Sequence, residues 1–291
     1  MKHLLINRFQ GGLIGGNIIY LTPQQIAPNQ LATEITPLLI RGVSSLIRSG
    51  GFHEEDWLDN TFTTTKNPHQ AMLAMLPLML FFHDDRVKLH EIIVSLSHRW
   101  ELDWETCSSA IGISYIISRS ISETFSPSEI LPQLLDETTN LHPLLFQQLS
   151  TIDRLLAQSS SLAQTSQKLS LTTHPTITPT TLAIYCFLST PADFSLAIRR
   201  AHQTLAVPEF TCALTGILSG VYNSSTGIPL NGLLATHQRQ QYLSLAESLL
   251  SLWAGVYQLD PNPPAKLLPP SSQTAFVNTL PVATPKVIQR R

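Results

Sequence analysis

Residues 242–257, with the sequence YLSLAESLLSLWAGVY, carry the pattern that decides the fold class. Apolar residues recur there at intervals of three and four, which places them on one side of an α-helix: Tyr242, Leu245, Ala246, Leu249, Leu250, Trp253, Val256 and Tyr257. Similar stripes run through residues 87–99, 103–119, 127–136 and 192–205. The alternating, β-branched pattern of a strand is nearly absent. The sequence therefore predicts an all-α protein.

Proline follows a capping residue at several places, which is typical of a helix start. Ser126-Pro127-Ser128-Glu129 has the form of a capping box, and Asn67-Pro68-His69-Gln70 has the same form with glutamine. The cap oxygen accepts a hydrogen bond from a backbone N–H that the helix leaves unpaired, and proline at the next position has no N–H to leave unpaired. Shorter versions of this pattern predict further starts at Thr36-Pro37, Thr178-Pro179 and Thr190-Pro191.

The chain has 291 residues, enough to build a large hydrophobic core. We predict one compact multi-helix domain over residues 1–258. Residues 158–178 are rich in Ser, Thr and Gln, and this composition predicts a long loop. From Asp260 onward the chain is rich in proline and lacks helical periodicity, so residues 259–291 are predicted to form a flexible C-terminal tail.

Charge, cysteine content and apolar runs exclude several classes of protein. The chain holds 18 basic and 20 acidic residues, which gives no basic face for nucleic acid or an anionic membrane. Cys107, Cys186 and Cys212 are far apart and form no Cys-x-x-Cys pair, so we expect buried, reduced thiols and no zinc site. The longest apolar run, Met72–Phe82, has 11 residues, whereas a membrane span needs about 20. We therefore expect a cytoplasmic protein without a membrane span.

Glycines cluster twice inside apolar helical sequence. Gly11, Gly12, Gly15 and Gly16 flank Leu13 and Ile14, and Gly216 and Gly220 lie four residues apart. A glycine inside a helix costs about 0.5–1 kcal/mol relative to alanine. Close approach of another helix, or of a ligand, would offset this cost. Both explanations are open at this point.

Three blocks of sequence follow one another in a distinctive order. The first is RFQGGLIG at residues 8–15, followed by Thr33-Glu34-Ile35-Thr36. The second is AMLAMLP at residues 71–77, followed by His83-Asp84-Asp85. The third holds FSLAIRRA at residues 194–201, GILSGVY at residues 216–222, and Gly227-Ile228-Pro229. Together the blocks resemble the ADP-ribosylglycohydrolase family, whose all-α enzymes remove ADP-ribose from proteins with two magnesium ions.

The resemblance implies where a metal site would lie. In the family, aspartates of two motifs, Ser/Thr-Asp-Asp-Thr and Asp-Thr-Asp-Thr, hold the ions. The matching segments here are Thr33-Glu34-Ile35-Thr36 and Val207-Pro208-Glu209-Phe210. The implied remnant metal ligands are Thr33, Glu34 and Glu209, and Thr36 completes the implied ligand-binding set. Other family positions also differ: Ile19-Tyr20 replaces Gly-Asp, His69-Gln70 replaces Asn-Gly, and Ala74 replaces an arginine.

These departures predict that the two-magnesium site is lost. Magnesium requires near-octahedral oxygen coordination at about 2.0–2.1 Å. Ile35 and Val207 have no donor atom, and a glutamate moves its carboxylate outward by about 1.5 Å relative to an aspartate. We therefore assign no catalytic residue and no cofactor, with Mg²⁺ as the alternative. Without a metal, Glu209 would simply favour a helix N-terminus, and Thr33 and Thr36 would cap a helix that begins near Pro37.

Three functions are compatible with this sequence. The leading hypothesis is an inactive or weakened family member that acts in binding or regulation, with an ADP-ribose-like ligand or a protein partner. The first alternative is an active hydrolase of a glycosidic bond to ADP-ribose, with one divalent ion held by Thr33, Glu34 and Glu209. The second is a structural helical scaffold. Two further clusters, His53-Glu54-Glu55-Asp56 and His83-Asp84-Asp85, could bind metal but are expected to be solvated.

Overall fold

The computed structural model describes residues 4–16, 30–58, 67–122, 125–138, 141–229 and 236–256, with the backbone alone for 30–36 and 236–238. Within these ranges the protein is built from α-helices and has no β-strand, so the prediction of an all-α fold is confirmed. In the same ranges no helix is long and apolar enough to cross a membrane. The predicted tail at 259–291 lies outside the described residues and stays a prediction.

The described residues form fourteen α-helices, numbered here in chain order. In order they are α1 (Leu5–Gly15), α2 (Gln30–Ser49), α3 (Glu54–Trp57), α4 (Pro68–Ala74), α5 (Leu76–Phe81), α6 (Arg86–Arg99), α7 (Trp104–Ile121), α8 (Ile130–Glu137), α9 (Pro143–Ala157), α10 (Leu162–Leu169), α11 (Ile177–Ser189), α12 (Phe194–His202), α13 (Pro208–Asn223) and α14 (Thr236–Trp253).

Helix α13 lies at the centre of the fold. It packs against α1, α7, α11 and α12, and every residue from Phe210 to Val221 is buried. Helix α11 is buried from Ile177 to Leu188. A helix that is apolar all round is expected in the core of a large protein rather than at its surface. These two helices therefore form the interior on which α1, α7, α9, α10 and α12 pack.

Glycines bring the backbones of α1 and α13 into direct contact. A Cβ atom added at Gly11 would lie 2.0 Å from the carbonyl oxygen of Gly220, and one at Gly15 would lie 1.9 Å from that of Gly216. Real Cβ atoms essentially never come closer than 3.0 Å to such an atom. Of the two explanations left open by the sequence, close approach of another helix is the one that holds for these four glycines.

The amphipathic stripe is confirmed from Tyr242 to Leu249 as the buried side of α14, while Tyr257 lies outside the described residues. Tyr242, Leu245, Ala246 and Leu249 are at most 3% exposed, and the helix packs against α1, α2 and α5. The helix ends at Trp253, and Gly255 follows with a φ of +69°, a left-handed conformation that glycine adopts without strain. Val256 is therefore beyond the helix and largely exposed.

The proline signals locate some helix starts and misplace others. Asn67 caps α4 as predicted, because its side chain accepts a hydrogen bond from the N–H of His69. Helix α11 begins one residue before Thr178. The capping box at Ser126 does not form: residues 127–129 make a turn, and α8 begins at Ile130, the first residue of its buried side. Helix α12 begins after Asp193, which is its cap instead of Thr190.

The predicted start at Thr36-Pro37 is wrong. Helix α2 begins at Gln30 and contains Pro37 in its interior. A proline there removes one backbone hydrogen bond and favours a kink. The long buried side that starts with Leu38 and Leu39 and packs against α4, α5 and α14 outweighs this local preference. Thr33 and Thr36 therefore lie inside a helix and do not cap its start.

The predicted long loop at 158–178 is also wrong. Residues 162–169 form α10, and residues 170–172 continue it as a 3₁₀ turn. Ser161 and Gln164 make a capping box: the N–H of Gln164 donates to the Ser161 hydroxyl at 3.3 Å, and the N–H of Ser161 donates to the Gln164 side chain at 2.8 Å. The polar composition hid a short amphipathic helix that buries only Thr165 and Leu169.

The three cysteines are buried and form no disulfide, as expected. Burial raises the pKa of the Cys186 and Cys212 thiols to about 12. Both thiols are therefore protonated at neutral pH and unreactive as nucleophiles. They act as small apolar side chains in the core.

Candidate functional site

The N-terminus of α13 carries the second family motif. Pro208 occupies the first helical position and Glu209 the first turn, where its exposed carboxylate favourably meets the helix dipole. The expectation that Glu209 follows a helix start is confirmed. The Thr211 hydroxyl donates to the carbonyl oxygens of Ala206 and Val207, at 2.7 and 3.1 Å. These bonds fix the approach of the chain to the helix.

Val207, immediately before this helix, has a strained backbone. Its φ is +42° in the left-handed region, and its side chain makes no capping hydrogen bond. The left-handed region is unfavourable for a β-branched residue, whereas asparagine and aspartate tolerate it better. The conformation at position 207 therefore suits the aspartate of the family motif better than the valine that occupies it.

Phe210 closes the motif with an apolar ring. It is fully buried and packs against the ring of His69 from α4, with the ring centroids 4.3 Å apart and tilted by 30°. The Nε2 of His69 donates to the carbonyl oxygen of Pro175 at 2.9 Å. Burial lowers the pKa of His69, although this hydrogen bond opposes the shift. The neutral imidazole is thus held between α4, α13 and the segment before α11.

The first family motif lies on α2. Thr33, Glu34 and Thr36 are all inside this helix, and their side chains are outside the described part of the structure. Helix α2 packs against α4, and α4 contacts α13 through His69 and Phe210. The family resemblance implies that Glu34 and Glu209 face each other across one cleft, and this stays a prediction because the Glu34 side chain is not described. Ile35 belongs to the same undescribed set of side chains.

The described half of the site does not fit a two-magnesium centre. Val207 offers no ligand atom, Phe210 fills its position with a buried ring, and Glu209 is the one carboxylate of this motif. His69, which replaces part of the family's Asn-Gly, uses its Nε2 for Pro175. Magnesium sites rely on carboxylate oxygens and water.

A different group of possible metal ligands escaped the sequence analysis. Asp103, Glu105 and His174 place their ligand atoms within 4.8 Å of one another, and His142 brings its Nε2 to 3.5 Å from Glu105. The group assembles from the start of α7, the start of α9 and the segment before α11. Because these residues lie up to 71 positions apart, they form no sequence motif that would predict the group.

The histidine hydrogen bonds argue against a metal in this group. The Nδ1 of His142 accepts the N–H of Leu144 at 3.2 Å, and the Nδ1 of His174 accepts backbone N–H groups at 3.3 and 3.4 Å. A neutral imidazole carries one proton, so the proton of each ring lies on Nε2. Both Nε2 atoms face Glu105, at 3.5 and 3.8 Å. While the Nδ1 atoms keep these bonds, neither Nε2 has a free lone pair for a metal.

A mostly apolar groove of about 960 Å³ lies beside the motif. Helix α10, the start of α11 and the loop at 203–207 line it, and Val207 and Pro175 belong to its wall. Leu205, also in the wall, is 97% exposed. Pro175 in the groove wall also accepts the hydrogen bond from His69, which packs on Phe210. The groove is therefore adjacent to the His69–Phe210 contact.

The cluster at residues 53–56 is engaged in ion pairs and does not present a free set of ligands. Glu54 pairs with Arg99 at 3.1 Å, and Asp56 pairs with Arg48 at 2.8 Å. Burial acts to raise the pKa of Asp56, but hydrogen bonds from Arg48, Ser49 and Ser45 together lower it.

The expectation of a solvated His83 is wrong. Its side chain is 6% exposed and lies between the rings of Phe9 and Trp253. The Nδ1 of His83 donates to the carbonyl oxygen of Leu80 at 2.8 Å. Its neighbours Asp84 and Asp85 are exposed, as expected. The sequence was misleading because His83 stands beside two exposed aspartates just after a helix end. Its ring nevertheless packs into the core.

Comparisons with known proteins agree with this architecture. The profile of the ADP-ribosylglycohydrolase family matches residues 29–259. A solved structure titled "ADP-ribosylglycohydrolase-related protein complex" has a similar fold, with a TM-score of 0.61 and 15% identity over 86% of this chain and 99% of that chain. No curated protein matches this sequence. The family profile covers well over half of the chain, and the protein belongs to the ADP-ribosylglycohydrolase family.

Proposed function

We propose that this protein is a family member without glycohydrolase turnover, which retains the scaffold for a binding role. The observation that carries the proposal is the contact between Phe210 and His69. Both rings stand at positions where the family has polar motif residues. Neither ring carries an oxygen ligand, and the Phe210 ring is fully buried against the partly buried His69.

Electrostatics support the same proposal. Two magnesium ions bring four positive charges, which a protein must offset with carboxylates. From the second motif, Glu209 alone has a charge to contribute. Its side chain is exposed, so water already satisfies the carboxylate and no cation is needed to stabilise it.

The strained backbone at Val207 supports descent from a metal-binding site. A φ of +42° is unfavourable for valine and more acceptable for aspartate. The backbone at position 207 would suit an aspartate, whereas the valine that occupies it has no ligand atom. A scaffold of the family's fold without this ligand atom is suited to bind an ADP-ribose-like ligand or a protein partner near the start of α13.

The test combines metal binding with turnover. The full chain is titrated with Mg²⁺ by calorimetry, and an ADP-ribosylated protein is then incubated with it at millimolar Mg²⁺. We expect no saturable Mg²⁺ binding and no release of ADP-ribose. Glu209→Ala tests the motif, and Glu247→Ala, at another exposed glutamate, is the matched control.

Two results would contradict the proposal. One is tight Mg²⁺ binding by the unaltered chain. The other is turnover that Glu209→Ala abolishes and Glu247→Ala leaves intact. Either would favour a working hydrolase in which Thr33, Glu34 and Glu209 hold one divalent ion. Calorimetric titration with free ADP-ribose distinguishes the two binding roles, because a protein-binding scaffold would give no heat with it.

A further inference from the structure

A second cavity, of about 430 Å³, lies between the end of α9, the turn before α8, and helices α11 and α12. It shares no lining residue with the groove at Val207. Its polar wall consists of one cation, one carboxylate, one phenol and several hydroxyls, from Arg200, Asp153, Tyr185, Ser128, Ser159 and Ser189. This volume is within the range of small-molecule sites, about 300–1,000 Å³.

Arg200 is held in a fixed orientation at this cavity. Its Nη2 donates to the hydroxyl of Tyr185 at 3.0 Å, and that hydroxyl donates to the carbonyl oxygen of Ser160 at 2.5 Å. The guanidinium carbon lies 5.5 Å from the centroid of the Tyr185 ring. An arginine held in place in this way loses little side-chain entropy when it binds an anion.

No carboxylate among the described residues forms an ion pair with Arg200. Its Nε is buried and has no hydrogen-bond partner. A guanidinium has five N–H donors, and the contact with Tyr185 uses one of them. The positive charge therefore faces the cavity without a negative partner.

Asp153 presents the opposite charge at the same cavity. It lies on α9 and is partly buried, and no hydrogen bond or ion pair engages it within the described residues. Burial raises the pKa of its carboxyl group. A partly buried carboxylate without a partner is unfavourable for stability. Arg200 does not supply that partner, although both residues line one cavity.

We infer that this cavity binds a small zwitterion, whose carboxylate pairs with Arg200 and whose ammonium group pairs with Asp153. The two protein charges do not pair with each other in the structure, so a molecule with both charges can satisfy both at once. A ligand with one charge would leave the other protein charge unpaired. The serine hydroxyls can donate to or accept from the ligand.

This inference is independent of whether the protein hydrolyses ADP-ribose. The experiment uses the full chain and a series of zwitterions with increasing charge separation: glycine, β-alanine and γ-aminobutyrate. Acetate and methylammonium are the single-charge controls. Calorimetric titration should show one zwitterion that binds at least about tenfold more tightly than either control.

Two variants test the residues. Asp153→Asn and Arg200→Gln should each weaken binding of that zwitterion at least about tenfold. Arg199→Gln and Asp136→Asn are the matched controls. They make the same charge changes at exposed residues that do not line the cavity, and they should leave binding unchanged. Arg200→Gln also removes the bond to Tyr185, so Asp153→Asn decides the outcome if Arg200→Gln does not fold.

Three outcomes would overturn the inference. The first is that none of the zwitterions binds. The second is that acetate binds as tightly as the best zwitterion, which would make the cavity an anion site. The third is that Asp153→Asn binds that zwitterion as tightly as the unaltered chain. Asp153 makes no hydrogen bond or ion pair with the residues that the structure describes, so this variant is expected to fold and gives a readable result in each case.

Discussion

The carbonyl oxygen of Gly220 lies 2.0 Å from the point that a Cβ atom on Gly11 would occupy. The relation is mutual, because a Cβ atom on Gly220 would lie 2.1 Å from the carbonyl oxygen of Gly11. One turn away, Gly15 and Gly216 repeat the same contact. In each case the obstacle is rigid backbone. The contact places α1 directly against α13, the helix that carries Glu209.

Gly220→Ala should therefore strongly destabilise the protein. The added methyl group cannot be accommodated unless α1 moves away from α13, and overpacking of this kind costs about 1–3 kcal/mol or more. We expect a loss of about 3 kcal/mol in the free energy of unfolding. Urea denaturation followed by circular dichroism measures this change as a lower midpoint.

Gly112→Ala is the matched control for that substitution. Gly112 is also buried in a helix, α7, but its added Cβ would have one neighbour, the Cδ2 of Leu145, at 3.9 Å. We expect a stability equal to that of the unaltered chain or higher by up to about 1 kcal/mol. If Gly112→Ala and Gly220→Ala were equally destabilising, helix contact would not explain the glycines.

Ser161→Ala tests the capping box of α10. The change removes the hydroxyl that accepts the N–H of Gln164, and an N-cap loss of this kind costs about 1 kcal/mol. Urea denaturation should show this loss. Ser150→Ala is the control, because the Ser150 hydroxyl only donates back to Phe146 within α9, and it should change stability by less than about 0.5 kcal/mol. Equal effects would contradict a capping role.

The sequence predicted the helical class and the buried side of α14 because both depend on local periodicity. It failed at Pro37 and at 158–178 for different reasons. Whether Pro37 is tolerated inside α2 depends on the packing of Leu38 and Leu39, a tertiary contact that local propensity does not contain. Helix α10 buries few apolar side chains, and its one local signal is the capping box of Ser161 and Gln164, which the polar composition of the segment obscured.

The candidate site was predictable to a smaller extent. The motif comparison located Glu209 at a helix start and identified Val207 as a residue without a ligand atom. The contact between His69 and Phe210 joins residues 141 positions apart. The sequence does not predict this contact, because a histidine after a helix cap and a phenylalanine inside a helix are both common. The cavity at Arg200 and Asp153 depends in the same way on three helices meeting.

A double-mutant cycle measures the contact on which the proposed function depends. His69→Ala, Phe210→Ala and the double variant should give a coupling energy of about 0.5–1.5 kcal/mol, the range for aromatic pairs. The comparison cycle uses His69→Ala with Phe9→Ala, a buried phenylalanine whose ring contacts His83 instead. It should give a coupling near zero. Equal coupling in both cycles would mean that the two rings do not interact specifically.

Acid should destabilise the protein partly through His83. Burial lowers the pKa of His83, although Leu80 and Asp84 oppose the shift, while an unfolded histidine titrates near pH 6.5. The unfolded state therefore binds more protons as the pH falls below about 6.5, and stability is lost from there down to the folded pKa. The slope contributed by one histidine is at most about 1.4 kcal/mol per pH unit.

Urea denaturation between about pH 7.5 and pH 5 checks this effect. His83→Gln should be less stable at neutral pH because it loses packing against Phe9 and Trp253, yet its stability should fall less steeply with acid. His90→Gln, at an exposed histidine of α6, should keep the slope of the unaltered chain. A slope unchanged by His83→Gln would show that the buried ring contributes no pH dependence.

Substitutions at Val207 should reverse the usual order of glycine and alanine. Alanine is normally more stable than glycine by about 0.5–1 kcal/mol inside helices, but the φ of +42° at position 207 penalises any Cβ by about 1–2 kcal/mol. Both variants lose the same partly buried apolar contact, so Val207→Gly should unfold at a higher urea concentration than Val207→Ala. At Ser195, inside α12, alanine should be the more stable of the pair. The usual order at both sites would mean that α13 begins without strain, and the backbone of the lost aspartate would not have been retained.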